Sequence, residues 1–373
     1  MKKIKLLLLA DAQSPHLRKW ALGFAQDPAY EVYVFSLQNT TDNMLQSKGV
    51  KVYCPFSFKI NRNRSGSSKL RYLLALPAIL LLLIRLRPNI LHSHYATSYG
   101  LLGSLCFFHP FVISVWGSDV FDFPNKSAWH KRLLAFNLKK ADRIFSTSKA
   151  MAKELKKVVN KNADITPFGV DIEWFKPQPV SSLFAPEDTV IGTIKSLEKI
   201  YGVDLLIRAF AIIKEKHTEL NLKLLIVGDG TLRTELRELC NTLGIEKDVV
   251  FTGYVEHLQL AKYYNMLDVY VALSRSESFG VAVVEASACG VPVVVSNVGG
   301  LPEVVEDGLT GYIVESENVN HAVEVLSILV TNKKLRNNMG ANARSFAKLH
   351  YTWSNNIAIV SEIYKLLTNK KYA

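Results

Sequence analysis

The 373-residue chain is poor in cysteine, and its four cysteines form no pattern. Cys54, Cys106, Cys240 and Cys289 lie far apart, with no CxxC and no paired histidine cluster. A disulfide scaffold and a structural zinc site are therefore not expected, and reduced thiols in a cytosolic setting fit the spacing. No Asp-x-Asp occurs, so the chain lacks the obvious carboxylate clamp for a divalent cation on a diphosphate. No hydrophobic run is long: the strongest, Tyr72–Ile84, has 13 residues with Pro77 inside it, against the roughly 20 that span a bilayer. The start, Lys2-Lys3-Ile4-Lys5 followed by Leu6–Leu9, imitates a signal peptide, but Asp11 and Gln13 interrupt it. It is expected to be a first buried strand. Acidic residues are absent from 43–118, where nine basic ones stand.

What is present is enough for large cores. Hydrophobic residues make up 49% and charged residues 21%, which excludes a disordered chain. The length favours two domains of about 150–200 residues each. The net charge of +12 is uneven: residues 1–180 hold 26 Lys+Arg and 11 Asp+Glu, whereas 181–373 hold 19 and 22. So one-sided a field implies an anionic partner for the first half.

Short apolar runs alternate with helical stretches. Ile4–Leu9, Glu31–Phe35, Ile90–His92, Phe111–Val115 and Arg143–Ser146 read as strands, with helices over 68–87 and 150–160. The pattern restarts after about residue 180. Strands are expected at Thr189–Ile194, Lys223–Val227, Val249–Phe251, Val269–Ala272 and Pro292–Ser296, with helices over 203–216, 231–243, 258–266 and 281–288. Alternation of this kind builds a parallel sheet covered on both faces. Two series predict an α/β protein of two doubly wound, Rossmann-like domains. The Pro-containing segment Thr166–Ser182 separates them, giving domains of 1–176 and 177–353. The amphipathic stretch at about 354–373 is expected to pack back on the first.

Ligands of doubly wound folds sit outside the carboxyl ends of the strands, and three second-half loops there carry unusual chemistry. Lys195 and Lys199 follow the first strand and offer point charges for phosphate; either alone reads better as an ordinary solvated lysine. Gly228-Asp229-Gly230 follows the second and lets backbone approach a ligand, or is a plain tight turn. The most specific is Ser274-Arg-Ser-Glu277-Ser-Phe-Gly280-Val-Ala-Val-Val-Glu285. A helix beginning near Gly280 would aim the amides of Ser278, Phe279, Gly280 and Val281 at an anion. Glu277 precedes that helix and Glu285 lies about 7.5 Å along it, so two carboxylates bracket a pyrophosphate pocket. Glu285 stands among Val283, Val284 and Ala286, where an idle charge would be costly.

Three polar loops of the first half converge in the same way. His92-Ser93-His94-Tyr95 and Trp116-Gly117-Ser118-Asp119 follow strands, and Asp11–His16 follows the first strand.

The Glu277-x7-Glu285 stretch, with Gly228-Asp229-Gly230 upstream and Gly299-Gly300-Leu301-Pro302-Glu303 downstream, resembles glycosyltransferase family 4. These are retaining nucleotide-sugar transferases of the GT-B fold, two Rossmann-like domains facing each other across a cleft. HSHY and WGSD are similar to family patterns, and Phe168-Gly169-Val170-Asp171 to its interdomain segment. The resemblance implies that Glu277 touches the donor sugar and Glu285 the donor ribose. Lys195 and Lys199 match the pair that holds the diphosphate, and the backbone at Val255 and Glu256 matches the loop that reads the base. His94 falls on the catalytic side, and His16, Trp116 and Asp119 on the acceptor side.

The expected activity is metal-independent transfer of a hexose or N-acetylhexosamine from a nucleotide-diphosphate sugar to a lipid-linked or surface-polysaccharide glycan. The donor is a co-substrate, and neither cofactor nor metal is expected. An epimerase on the same fold and a non-catalytic membrane-associated scaffold are the alternatives; a phosphorylase would need a pyridoxal lysine context that is not found. Lys59, Arg62, Arg64, Lys69, Arg71, Arg85 and Arg87 flank the apolar run, so residues 59–87, the basic loop 59–71 above all, are expected to meet an anionic membrane surface, whereas the apolar run itself reads first as a core helix packed on the first sheet. Nucleic acid is not an expected partner, since no binding motif appears. The location that follows is cytoplasmic, peripheral on the inner face of the plasma membrane.

Overall fold

The computed structural model describes residues 3–38, 43–55 and 67–369, the side chains of 67–70 excepted. Lys59, Arg62, Arg64 and the side chain of Lys69, on which part of the membrane expectation rests, lie outside the described residues. The chain divides into two compact units, one of residues up to Phe168 together with Trp353 onward, the other Gly169–Thr352. The division falls ahead of the expected position after residue 176.

The first unit holds a seven-stranded sheet: β1 Ile4–Leu9, β2 Tyr30–Phe35, β3 Lys51–Tyr53, β4 Ile90–His94, β5 Phe111–Val115, β6 Arg143–Ser146 and β7 Asp164–Ile165, in the order β3-β2-β1-β4-β5-β6-β7. All recorded pairings are parallel. β1 is central, which is why its sequence is a continuous apolar run. Leu7 and Leu9 feed one core, Leu6 and Leu8 the core on the opposite face. The first face is covered by helices Leu76–Leu86, Ser98–Leu105 and Ala128–Lys140, the second by Pro15–Gln26 and the C-terminal helix Trp353–Asn369. Trp353 meets Trp20 edge-on at 5.1 Å, and Tyr364 is fully buried there.

The second unit holds β8 Thr189–Ile194, β9 Leu222–Val227, β10 Val249–Gly253, β11 Val269–Ala272, β12 Val293–Ser296 and β13 Gly311–Val314 in a six-stranded sheet, ordered β10-β9-β8-β11-β12-β13. Both units are thus doubly wound α/β layers. The strand order reverses between β1 and β4 in the first unit and between β8 and β11 in the second, the two places where such folds open a crevice.

Some elements differ from expectation for identifiable reasons. The 68–87 helix is two pieces, a 3₁₀ turn at Ser67–Ala75 and an α-helix from Leu76 that starts with Pro77 in its first turn; proline fits there because that amide has no partner anyway. Helix Lys333–His350 was not expected, because its buried face is Arg336, Met339, Gly340, Ala343 and Ala347, of which only Met339 is a large apolar residue. Helix Ala128–Lys140 also escaped, since it places Trp129 and Phe136 outward. Among the described residues no helix is long and apolar enough to cross a membrane. Burial raises the Cys106 thiol to about 12.

Candidate active site

The loops after β8 and β11 meet at the strand-order reversal. Lys195, one residue beyond β8, donates from Nζ to Glu277 Oε2, five residues beyond β11. Their side chains are only 11% and 13% exposed. Burial alone would depress the Lys195 pKa, but the charge of Glu277 and the hydrogen bond to it outweigh burial and raise it. The ammonium also lies 4.7 Å from the Tyr201 ring centroid, a cation–π contact that steadies it. The site therefore keeps one fully charged lysine in a largely water-excluded position.

Gly228 and Gly230, the glycines expected to approach a ligand, are packed against the neighbouring loops. Gly228 has φ +136°, and a Cβ there would come within 1.9 Å of the Lys195 carbonyl oxygen. A Cβ on Gly299 would stand 1.8 Å from the Glu277 carbonyl oxygen, and the Gly300 amide donates to that same oxygen at 3.1 Å. Gly230 is pressed likewise against the Leu197 backbone. Any side chain at these places would push Lys195 or Glu277 out of register.

Helix Val281–Ala288 begins at Gly280, whose φ of +103° reverses the chain into the helix. Ser278 and Phe279 precede it, and Phe279 is buried against Tyr351. The first-turn amides of such a helix point ahead of its axis. Glu285, one turn in, is buried and doubly held: Tyr264 donates to Oε2 at 3.0 Å, and His257 Nε2 stands 2.9 Å from Oε1. His257 comes from the loop after β10 that also carries Val255 and the exposed Glu256. Burial, then the nearby carboxylate, pushes the Tyr264 pKa well up, so its hydroxyl stays a donor. Lys199 is exposed on the 3₁₀ turn Lys199–Tyr201. That turn is braced by Arg275, which donates to the Lys199 carbonyl at 2.7 Å, to both oxygens of Asp204 at 2.9 and 2.8 Å, and to Glu317 at 2.8 Å. Sequence reasoning did not single out Tyr201, His257, Tyr264 or Arg275; nothing in their local sequence distinguishes them from ordinary surface or core residues.

In the first unit the three polar loops do converge. His16 stacks on Phe168 at 4.1 Å and meets Trp116 edge-on at 5.6 Å, and His94 meets Trp116 at 5.2 Å. His94 is buried and stacked on His92, and neither of its ring nitrogens has a hydrogen-bond partner among the described residues. Burial, with the neighbouring His16, pushes its pKa down to about 3, so it is neutral. His92 is anchored instead, by the Tyr364 hydroxyl on Nδ1 and by Ser114 at 2.8 Å on Nε2. Asp119 is fully buried and accepts backbone amides from Ala96, Trp116 and Gly117 at 2.9–3.1 Å. Its carboxylate ties the loop after β4 to the loop after β5 rather than facing outward. Among the described residues no group of three His, Cys, Asp or Glu is arranged to hold a metal ion.

Two doubly wound units, with a buried cation–carboxylate pair at the crevice of the second, define a glycosyltransferase of the GT-B fold. The chain belongs to the glycosyl transferases group 1 family: that model matches residues 175–346, and the glycosyl transferase 4-like model matches 5–148. It is thus a nucleotide-sugar glycosyltransferase. It is 30% identical over 275 residues to the N-acetyl-alpha-D-glucosaminyl L-malate synthase of Bacillus anthracis, covering 69% of each chain. It is 28% identical to a D-inositol 3-phosphate glycosyltransferase of Arthrobacter, covering 74% of this chain and 70% of the relative. In structure it is similar to Anabaena HepE in complex with UDP, with a TM-score of 0.77, 18% identity, and 98% and 100% of the two chains covered.

Proposed function

We propose that the second unit binds a nucleoside diphosphate sugar at the β8/β11 crevice and that its hexose or N-acetylhexosamine passes, with retention at the anomeric carbon, to a lipid-linked or surface-polysaccharide glycan. The observation that carries this is the buried Lys195–Glu277 pair beside the start of helix Val281–Ala288. A diphosphate set there meets the Lys195 ammonium, the Lys199 side chain and first-turn amides, while Glu285 accepts the ribose hydroxyls. Val255 and Glu256 border the base. The names of the two curated relatives, one an N-acetylglucosaminyl transfer, support the sugar class.

The chemistry follows from charge. As the glycosidic C–O bond breaks, negative charge grows on the departing diphosphate and positive charge on the sugar. Fixed cations and amides stabilise the first, each such donor being worth about 3 kcal/mol of barrier. The acceptor hydroxyl attacks on the leaving-group face and loses its proton to the departing phosphate. Glu277 orients the sugar and Lys195 and is not a nucleophile. In the first unit, His94 is a neutral imidazole whose nitrogens are hydrogen-bonding groups for the acceptor, with His16 and Trp116 beside it.

The acceptor reading places the enzyme at the inner face of the plasma membrane, with Arg71, Arg85, Arg87 and the exposed Leu74, Leu81 and Ile84 of the 59–87 segment toward anionic lipid. A second reading of the acceptor has one support: L-malate and inositol 3-phosphate, named for the relatives, are small soluble anions that a first half with 26 basic against 11 acidic residues would also attract.

The deciding experiment screens nucleotide sugars for thermal stabilisation, since a ligand bound only by the native state raises its apparent stability, then assays the stabilising donor with lipid-linked glycans and with small anionic alcohols. Conversion of donor alone to its epimer would overturn transfer in favour of epimerisation, and no stabilisation by any nucleotide would favour a non-catalytic scaffold.

A further inference from the structure

Helix Ala128–Lys140 buries Leu134, Asn137 and Leu138. Its outer side carries Trp129, Arg132 and Phe136, a spacing that lines them up on one stripe. Trp129 is 57% exposed. Next to that stripe Phe107 is 68% exposed and adopts φ +50°, a backbone conformation that bulky L residues rarely take. The Lys140 ammonium bridges the two, 5.0 Å from the Phe107 ring and 5.8 Å from the Phe136 ring. Three outward aromatic rings interleaved with Arg132 and Lys140 thus form one surface, where a solvated helix face would carry polar side chains.

We propose that this surface is a second membrane contact, which docks on an anionic lipid bilayer. The inference rests on the membrane part of the function proposed above and extends it to an element outside residues 59–87. Rings of this kind settle at the boundary between headgroups and acyl chains, and Arg and Lys reach the lipid phosphates from the same depth. The surface belongs to the helical layer that also contains Leu76–Leu86, and helix Ser98–Leu105 touches both Ala128–Lys140 and the Ser67–Ala75 turn. Leu81 and Ile84 project from that layer as well. Aliphatic side chains enter a bilayer but do not stack on bases, which favours lipid over nucleic acid. A second copy would set basic residues against basic residues across a two-fold axis, which favours lipid over self-association.

The test uses the full chain and sedimentation with vesicles of phosphatidylglycerol and phosphatidylcholine at low salt. Trp129→Ala/Phe136→Ala and Arg132→Glu/Lys140→Glu are each expected to weaken vesicle partition by about tenfold or more, with melting temperature little changed. Vesicles are expected to blue-shift the tryptophan emission, and Trp129→Phe to remove that shift. Leu81→Glu/Ile84→Glu separates the two membrane readings. If it abolishes binding while the Trp129/Phe136 and Arg132/Lys140 variants bind as the parent does, the second contact is overturned and the 59–87 contact stands. If the parent binds no anionic vesicles, both fall. A Trp129 emission shift produced by single-stranded RNA but not by vesicles, or dimerisation lost on Phe136→Ala without vesicle binding, also overturns the proposal.

Discussion

The Tyr264 hydroxyl donates to Glu285 Oε2 at 3.0 Å, and both groups are buried. With His257 at the other oxygen, the carboxylate is oriented before any ligand arrives. Glu285→Ala would leave the Tyr264 hydroxyl without its acceptor, an expected loss of about 1–3 kcal/mol of stability, and would abolish nucleotide binding. Denaturant unfolding and UDP-dependent thermal shifts read the two effects separately. A variant with undiminished nucleotide affinity would remove Glu285 from the site.

Lys195→Ala is expected to lower kcat by about 10²–10³, and also to destabilise the fold by stranding the Glu277 carboxylate in a poorly hydrated place. Lys195→Met/Glu277→Gln removes both charges. It should recover most of the stability and none of the turnover, which shows that the activity lost with the pair is not a consequence of instability.

Lys199→Ala should slow transfer without altering stability, because Lys199 is exposed. In the proposed mechanism lysines and amides carry the diphosphate, so turnover is expected to persist in EDTA. Loss of turnover that Mg²⁺ restores would refute that part of the mechanism.

Arg275 braces the Lys199–Tyr201 turn through Asp204, Glu317 and a carbonyl. Arg275→Lys cannot reproduce this fork. The expected outcome is a raised KM for the donor and a stability loss of about 1–3 kcal/mol, measured by steady-state kinetics and urea titration. An unchanged KM would mean that the turn does not position the diphosphate group.

His94 is held neutral with its pKa at about 3, and His92 well below its ordinary value, both chiefly by burial. The unfolded chain binds these protons near pH 6.5 and the native fold does not, so stability falls as the pH drops below about 6.5, by up to roughly 1.4 kcal/mol per pH unit for each histidine. Melting temperature followed from pH 7 to pH 5 should decline. His94→Gln should flatten the decline, and an equal slope in that variant would show that His94 titrates normally.

The alternation of apolar runs with helical stretches was enough to expect two doubly wound layers, because parallel strands buried on both faces must be written as continuous apolar segments. The Glu277-x7-Glu285 spacing was legible for a related reason: a carboxylate in so apolar a helix has a burial cost that only a partner offsets. Polar or small-faced elements such as Lys333–His350 left little trace, since their packing uses backbone proximity rather than periodic side chains. Lys195 and Glu277 could be suspected separately, but only the tertiary structure paired them, because that contact depends on which strands are neighbours in the sheet. The same holds for His257 and Tyr264 on Glu285, and for the glycines whose missing side chains admit a neighbouring loop. Composition and local pattern determine which segments are buried, whereas the meeting of residues some eighty positions apart is settled by strand order, which no local pattern encodes.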